Sequence, residues 1–150
     1  MTVTANVALS SRLVDEVMNG RKLEVIDEIV AAEFVYIDPA YSDVVGPAAL
    51  KTVISEVHAS FPDLLQWTTE EQICQDDKVV SRYTWSGTQV NDFRYIPATG
   101  RKVTITGIAI DRFAHGQFVE TRMLRDDVGF LRQLGVIPER DAMPALLQHR

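Results

Sequence analysis

Cysteine is nearly absent from this 150-residue sequence, and the single Cys74 excludes an intrachain disulfide and any multi-cysteine metal site. Histidine is scarce too. His58, His115 and His149 stand far apart, so no local spacing supports a histidine centre and no metal is expected. Cations are outnumbered, 15 Lys and Arg against 21 Asp and Glu, for a net charge of −6. Phosphate backbones need a basic footprint, so nucleic acid is not an expected partner. No apolar run approaches the roughly 20 residues of a membrane-spanning helix, and the first residues lack the basic and apolar stretches of a secretion signal. A protein of the reducing cytoplasm, without membrane contact, is expected. What remains is an ordinary globular balance, 46% hydrophobic and 24% charged, in a chain of one-domain length.

There are no repeats, low-complexity tracts or linkers, so residues 1–150 read as one domain. The first third reads as helical. Leu9, Leu13, Val14 and Val17 recur at three- and four-residue spacing, and Asn19-Gly20 suits a left-handed C-cap. A short helix over Leu23 to Ile29, a strand over Phe34 to Ile37 stopped by Asp38-Pro39, and a helix from Pro47 to about Ser60 follow. The remainder reads as strands: Leu64 to Gln75 with Leu65, Trp67 and Ile73 on one parity, Lys78 to Ser86, Val103 to Phe113, and Gln117 to about Arg125. An irregular stretch, Gly87 to Arg101, interrupts them, and a short helix over Gly129 to Leu134 closes the series. Helices first and an antiparallel meander afterwards predict an α+β fold, with helices on one face of a curved sheet.

A curved sheet over helices leaves a conical cavity, so the parity of each strand decides which side chains reach it. With Ala114-His-Gly116 as a three-residue hairpin loop, odd positions pair with odd. Val103, Ile105, Gly107, Ala109, Asp111 and Phe113 then share a face with Val119, Thr121 and Met123. That face is the more apolar and carries small residues, which assigns it to the cavity. The even face holds Phe118, Leu124 and a charge ladder of Arg112, Glu120 and Arg122, which assigns it to solvent or a partner subunit.

Seven segments carry a family resemblance: Val17-Met-Asn-Gly20, Asp38-Pro39, Phe61-Pro-Asp63, Gly87-Thr-Gln89, Ile96-Pro-Ala-Thr-Gly100, Arg112-Phe-Ala-His-Gly116 and Gly129-Phe-Leu-Arg-Gln-Leu-Gly135. In this order the sequence resembles the SnoaL-like polyketide cyclases, of the nuclear-transport-factor-two-like superfamily, over about residues 10–136, with 137–150 as a tail. The resemblance implies a conical α+β barrel and a cofactor-free enzyme that closes rings of apolar, oxygenated polyketides by aldol chemistry. It also places the family's catalytic His and Asp at Ala109 and Met123, neither of which can move a proton. Related members resemble hydroxylases that use neither metal nor flavin. A hydroxylase or a non-catalytic small-molecule-binding module is therefore the alternative to a cyclase or isomerase.

Three residues are candidates for the missing acid–base work. Asp38, between Tyr36 and Tyr41, lies in a stretch that also resembles the proton-shuttling Asp-Pro of ketosteroid isomerases, and burial against aromatics raises a carboxylate pKa. Leu13 stands where those isomerases carry their oxyanion tyrosine. Asp111 shares the cavity face with Ala109, or else pairs with Arg112 or Arg82. Gln89 replaces a family histidine and offers an amide that hydrogen-bonds without titrating. Tyr36, Tyr41, Trp67, Tyr83, Trp85, Ala109 and Met123 are the expected substrate wall, provided the aromatics do not fill the interior. Asp126 and Asp127 suit helix caps, His58 and His115 are expected in solvent, and Cys74 reads as a half-buried strand residue. A homodimer through the outer sheet face is expected.

Overall fold

The spacing of the first apolar residues builds a helix in two parts. Helix α1, Val3–Arg12, is capped by the Thr2 hydroxyl, which accepts from the Ala5 amide at 3.2 Å, and it runs into a wider π-helical segment, Leu13–Asn19. The expected left-handed cap falls one residue later than Asn19-Gly20 suggests. Arg21 has φ 59°, whereas Gly20 stays right-handed at φ −82°. Glycine is needed at 20 for closeness instead, since a Cβ there would stand 2.6 Å from the Glu16 carbonyl oxygen. In this computed structural model residues 2–42, 44–63 and 66–139 are described; Leu64, Leu65, His149 and the rest of the tail beyond 139 lie outside them.

A 3-10 turn, Leu23–Val25, leads into α2, Ile26–Ile29, and then β1, Val30–Ile37, which starts earlier than the expected Phe34. A two-residue strand β2, Val44–Val45, precedes α3, Gly46–Ser60, with Pro47 in its first turn. Strands β3, Gln66–Gln75, β4, Lys78–Thr88, β5, Lys102–Ala114, and β6, Gln117–Arg125, follow, and α4, Asp127–Gln133, comes last. The six strands order as β2-β1-β6-β5-β4-β3, with β1 and β6 the parallel pair. The sheet curls over the helices without closing, so the expected barrel is an open cone whose edges are β2 and β3. Phe34, Phe118, Ile26 and Val17 are fully buried between sheet and helices, each contributing roughly 1.5–3 kcal/mol of apolar burial.

Two bulges decide which side chains point inward. The β5–β6 turn is two residues, His115-Gly116, both at positive φ, and not the expected three. Taken alone this would put odd positions opposite even ones. Val119 bulges out of the ladder, however, so Arg112 pairs with Glu120, Asp111 with Thr121 and Ala109 with Met123, and the expected odd face is restored. The bulge also turns Phe118 inward, against its expected outward place. A second bulge at Glu70 lets Trp67 and Thr69 face inward, then Gln72 and Cys74, and throws Ile73 outward, away from the parity it was expected to share with Trp67.

His58 is buried and not solvated as expected. Its Nε2–H donates to the Met18 carbonyl at 3.0 Å, and burial lowers its pKa. Cys74 is half-buried against the core. Asp126 caps α4 by accepting from the Gly129 amide at 2.8 Å, whereas Asp127 turns to Arg125. The Arg112–Glu120–Arg122 ladder forms on the outer face at 3.6–3.8 Å. Among the described residues no helix is long and apolar enough to cross a membrane.

Candidate active site

The aromatics expected to wall the cavity do so without filling it. Trp67 stacks on Tyr83 with ring centroids 4.3 Å apart, and Trp85 lies 6.4 Å from Trp67 in the same orientation. Asn19 fixes this stack from the π-helical segment, accepting from the Trp67 amide at 2.6 Å and donating to its carbonyl at 3.0 Å. Phe118 lines the cavity and packs on Phe113 behind it, ring centroids 4.5 Å apart. A cavity of about 370 Å³ remains, apolar over most of its wall, within the size range of small-molecule sites. Tyr36, Tyr41, Trp67, Tyr83, Trp85, Ala109, Met123 and Asp111 all line it.

Among the described residues two carboxylates line this cavity: Asp127, exposed and paired with Arg125, and Asp111, which is buried. It is 5% exposed, and its Oδ1 accepts one hydrogen bond, from Thr121 Oγ1 at 2.6 Å. Neither Arg112 nor Arg82 reaches it; those arginines face Glu120 and Glu71 on the outer side. Loss of water on burial raises the Asp111 pKa to about 7, and the Thr121 hydrogen bond only partly offsets this.

Asp38 behaves in the opposite way. It sits behind Tyr36 and Arg125, outside the cavity wall. Arg125 grips it with two hydrogen bonds, Nη1 to Oδ2 at 2.5 Å and Nη2 to Oδ1 at 3.2 Å. The Tyr36 hydroxyl adds 2.7 Å and the Ala40 amide 2.8 Å. Burial works to raise the Asp38 pKa, but these four donors outweigh it and hold the group below its ordinary value. Burial, reinforced by the charge of Asp38 and the hydrogen bond to it, raises the Tyr36 pKa. A carboxylate so bound stays ionised and holds Arg125 in place. The aromatic flanks foreseen for Asp38 are therefore present, while the raised pKa expected from them is not.

Gln89 is fully buried and does not line the cavity. Its Nε2 donates to the Ile96 carbonyl at 3.1 Å, and its Oε1 accepts from the Thr99 amide and hydroxyl at 3.2 and 2.7 Å. It pins the irregular stretch between β4 and β5. That stretch carries Phe93, Arg94 and Ile96 to the cavity mouth, where the Arg94 guanidinium lies 3.4 Å over the Tyr41 ring and donates to the Ala40 carbonyl.

Of the polar wall residues not singled out from sequence, three bear directly on the site. Arg125 continues the inward parity of Thr121 and Met123, and Ser81 interrupts the inward stripe of Val79, Tyr83 and Trp85. Both were legible as polar positions in an apolar alternation. Gln72, which donates to Ser81 Oγ at 3.1 Å, was hidden by the Glu70 bulge. Among the described residues no group of three His, Cys, Asp or Glu side chains is placed to hold a metal ion.

The SnoaL-like polyketide cyclase family matches residues 8–134 of this chain. Among solved structures, TsrD from Streptomyces laurentii is 26% identical with a TM-score of 0.82, covering 91% of this chain and 99% of its own. IdmH from Streptomyces antibioticus, a proposed polyketide cyclase, is 26% identical with a TM-score of 0.73, covering 87% and 98%. AclR from Streptomyces galilaeus, a proposed hydroxylase, is 23% identical with a TM-score of 0.79, covering 91% and 100%. Curated protein sequences give no match.

Proposed function

Because the chain belongs to the SnoaL-like polyketide cyclase family, we propose that it is an acid–base catalyst acting on an apolar, oxygenated ring compound of secondary metabolism. The observation that carries this is a buried carboxylate, Asp111, held by one hydrogen bond in the wall of a mostly apolar cavity and without the arginine partner that the other lining carboxylate, the exposed Asp127, has. Its pKa of about 7 lets it accept and return a proton near neutral pH. The reaction is an aldol-type ring closure or a related isomerisation. Asp111 takes a proton from carbon beside a carbonyl, and the C–H electron pair becomes the enolate. The enolate carbon attacks a second carbonyl, whose oxygen receives the proton back from Asp111. This moves the work of base from Asp38 to Asp111 and leaves Asp38 to position Arg125 and Tyr36 at the wall.

Proton exchange at an acidic carbon tests the reading without the native substrate. In D2O the protein should speed exchange of the α-protons of a bulky aryl ketone such as 1-tetralone, followed by NMR. Asp111→Asn should lower that rate on the order of 10²- to 10⁴-fold. Tight binding without exchange would favour a binding module, and oxygen uptake without exchange would favour a hydroxylase; either outcome overturns the proposal.

We also propose a homodimer through the outer face of the sheet. Ile73, Ile108, Ile110 and Leu124 are exposed on the outer face of the sheet and adjoin one another through the β3–β4–β5–β6 register. Contiguous apolar surface of this kind favours association.

A further inference from the structure

Resting on the reading of Asp111 as base, we propose that Ser81 is the donor that holds the substrate's carbonyl oxygen, and that Gln72 orients it. Ser81 lies on the inward stripe of β4 and lines the cavity, nine-tenths buried among Val79, Tyr83 and Trp85. Its Oγ accepts from Gln72 Nε2 at 3.1 Å. Among the described residues no group accepts the Ser81 proton. A hydroxyl whose lone pair is engaged on the β3 side has its proton free for the cavity side, and the Gln72 bond strengthens it as a donor.

The partner across the ladder fits this role. Ser81 stands directly opposite Ala109 on β5, too small a side chain to cover the hydroxyl. One step down the same two strands, Asp111 pairs with Val79. Ser81 and Asp111 are thus diagonal neighbours on one face, roughly 7–8 Å apart at Cα and closer at their side chains. Asp111 Oδ1 is held by Thr121, and no described group bonds Oδ2. An unengaged base oxygen and an unengaged hydroxyl proton therefore flank the same small volume. An enolisable ketone presents its α-carbon and its carbonyl oxygen two bonds apart, which suits that pair. When Asp111 removes the α-proton, charge develops on the carbonyl oxygen and strengthens its hydrogen bond from Ser81. Preorganised donors of this kind stabilise the transition state more than the ground state.

The experiment uses 1-tetralone carrying a ¹³C carbonyl, with isotope-edited infrared spectra of the bound ketone and α-proton exchange measured on the same samples. Bound to the wild-type protein, the carbonyl stretch should fall below its value in an apolar solvent. Ser81→Ala should restore most of that value and reduce kcat for exchange about 10²-fold, with KM changed only a few-fold and the pH midpoint set by Asp111 unmoved. Ser81→Thr should keep both signals, and Gln72→Leu should lose part of each. Asp111→Asn should stop exchange while leaving the carbonyl stretch lowered. An unchanged stretch in bound Ser81→Ala overturns the proposal. A Ser81-dependent stretch in a protein that catalyses no exchange supports the donor site and removes the base. Failure of 1-tetralone to bind at all overturns the cavity reading and Ser81 with it.

Discussion

Asp111 and Thr121 face each other across the β5–β6 ladder, joined by one 2.6 Å hydrogen bond inside an apolar wall. Burial favours the protonated acid and the Thr121 hydroxyl favours the carboxylate; burial prevails, moving the group from an ordinary 3.8 to about 7. A base must be ionised, so the exchange rate should rise with pH and level off above a midpoint near 7. Thr121→Val should move that midpoint upward by about one unit. A pH–rate profile checks both, and a midpoint near 4 would remove Asp111 from the role.

The same shift has a consequence for stability. The unfolded chain ionises Asp111 near 4 and the folded chain near 7, so between those values the folded state binds more protons. Stability should therefore fall as pH rises from about 4 to about 7, by on the order of 4 kcal/mol at most from this group. Asp111→Asn should lose that slope and be more stable than wild type above pH 7. Denaturant melts at pH 4.5 and 8 measure the difference.

Asp38 and Arg125 should respond as a structural pair. Asp38→Asn leaves a half-buried guanidinium with Asp127 as its remaining carboxylate, which should cost about 2–3 kcal/mol in denaturant unfolding. The pair's contribution should also disappear as pH falls below the ordinary carboxylate range, because the folded-state pKa is depressed. Proton exchange should fall less than tenfold, against at least a hundredfold for Asp111→Asn. Full stability with abolished exchange would return the base to Asp38.

Tyr83 fills the room that Gly107 leaves. Among the described residues its buried hydroxyl has no hydrogen-bond partner, and a Cβ on Gly107 would stand 2.4 Å from that oxygen and 2.8 Å from the Leu124 carbonyl. Tyr83→Phe removes an unmade hydrogen bond, so it should be neutral or stabilising by up to about 1 kcal/mol. Gly107→Ala should cost about 2–3 kcal/mol by overpacking, with Tyr83→Phe recovering only part because the Leu124 backbone still blocks the methyl. Thermal melts of the two single variants and the double variant test this.

Helix and strand periodicity carried the fold, because most elements keep one face buried along their whole length. Parity failed where a strand admits an extra residue. Glu70 shifts Gln72 inward and Ile73 outward, and nothing in the alternation of β3 announces it. At β6 a two-residue turn and the Val119 bulge cancel, so the inward face was right although the loop was not. The candidate site was legible as a set of wall residues. Its charges were not, because the state of Asp38 depends on Arg125, far away in sequence, and that of Asp111 on burial with no cation paired to it among the described residues. Gln89 looked available for the same reason: its partners, Ile96 and Thr99, lie across an irregular loop whose closure no period describes.

The outer sheet face gives the remaining prediction. Leu124 is 67% exposed, Ile73 63% and Ile108 48%, and the β-register places Ile108 beside Leu124 and Ile110 beside Val80, itself opposite Ile73. Arg82, Arg122 and Glu120 border this patch, a polar rim around an apolar centre as at subunit contacts. Light scattering at micromolar concentration should give twice the chain mass. Leu124→Lys with Ile108→Lys should halve it, because two desolvated charges would face their own copies across a symmetric contact. Both substitutions point away from the cavity, so binding of 1-tetralone by the resulting monomer should persist. A wild-type monomer, or a charged variant that remains a dimer, would place the contact elsewhere or nowhere.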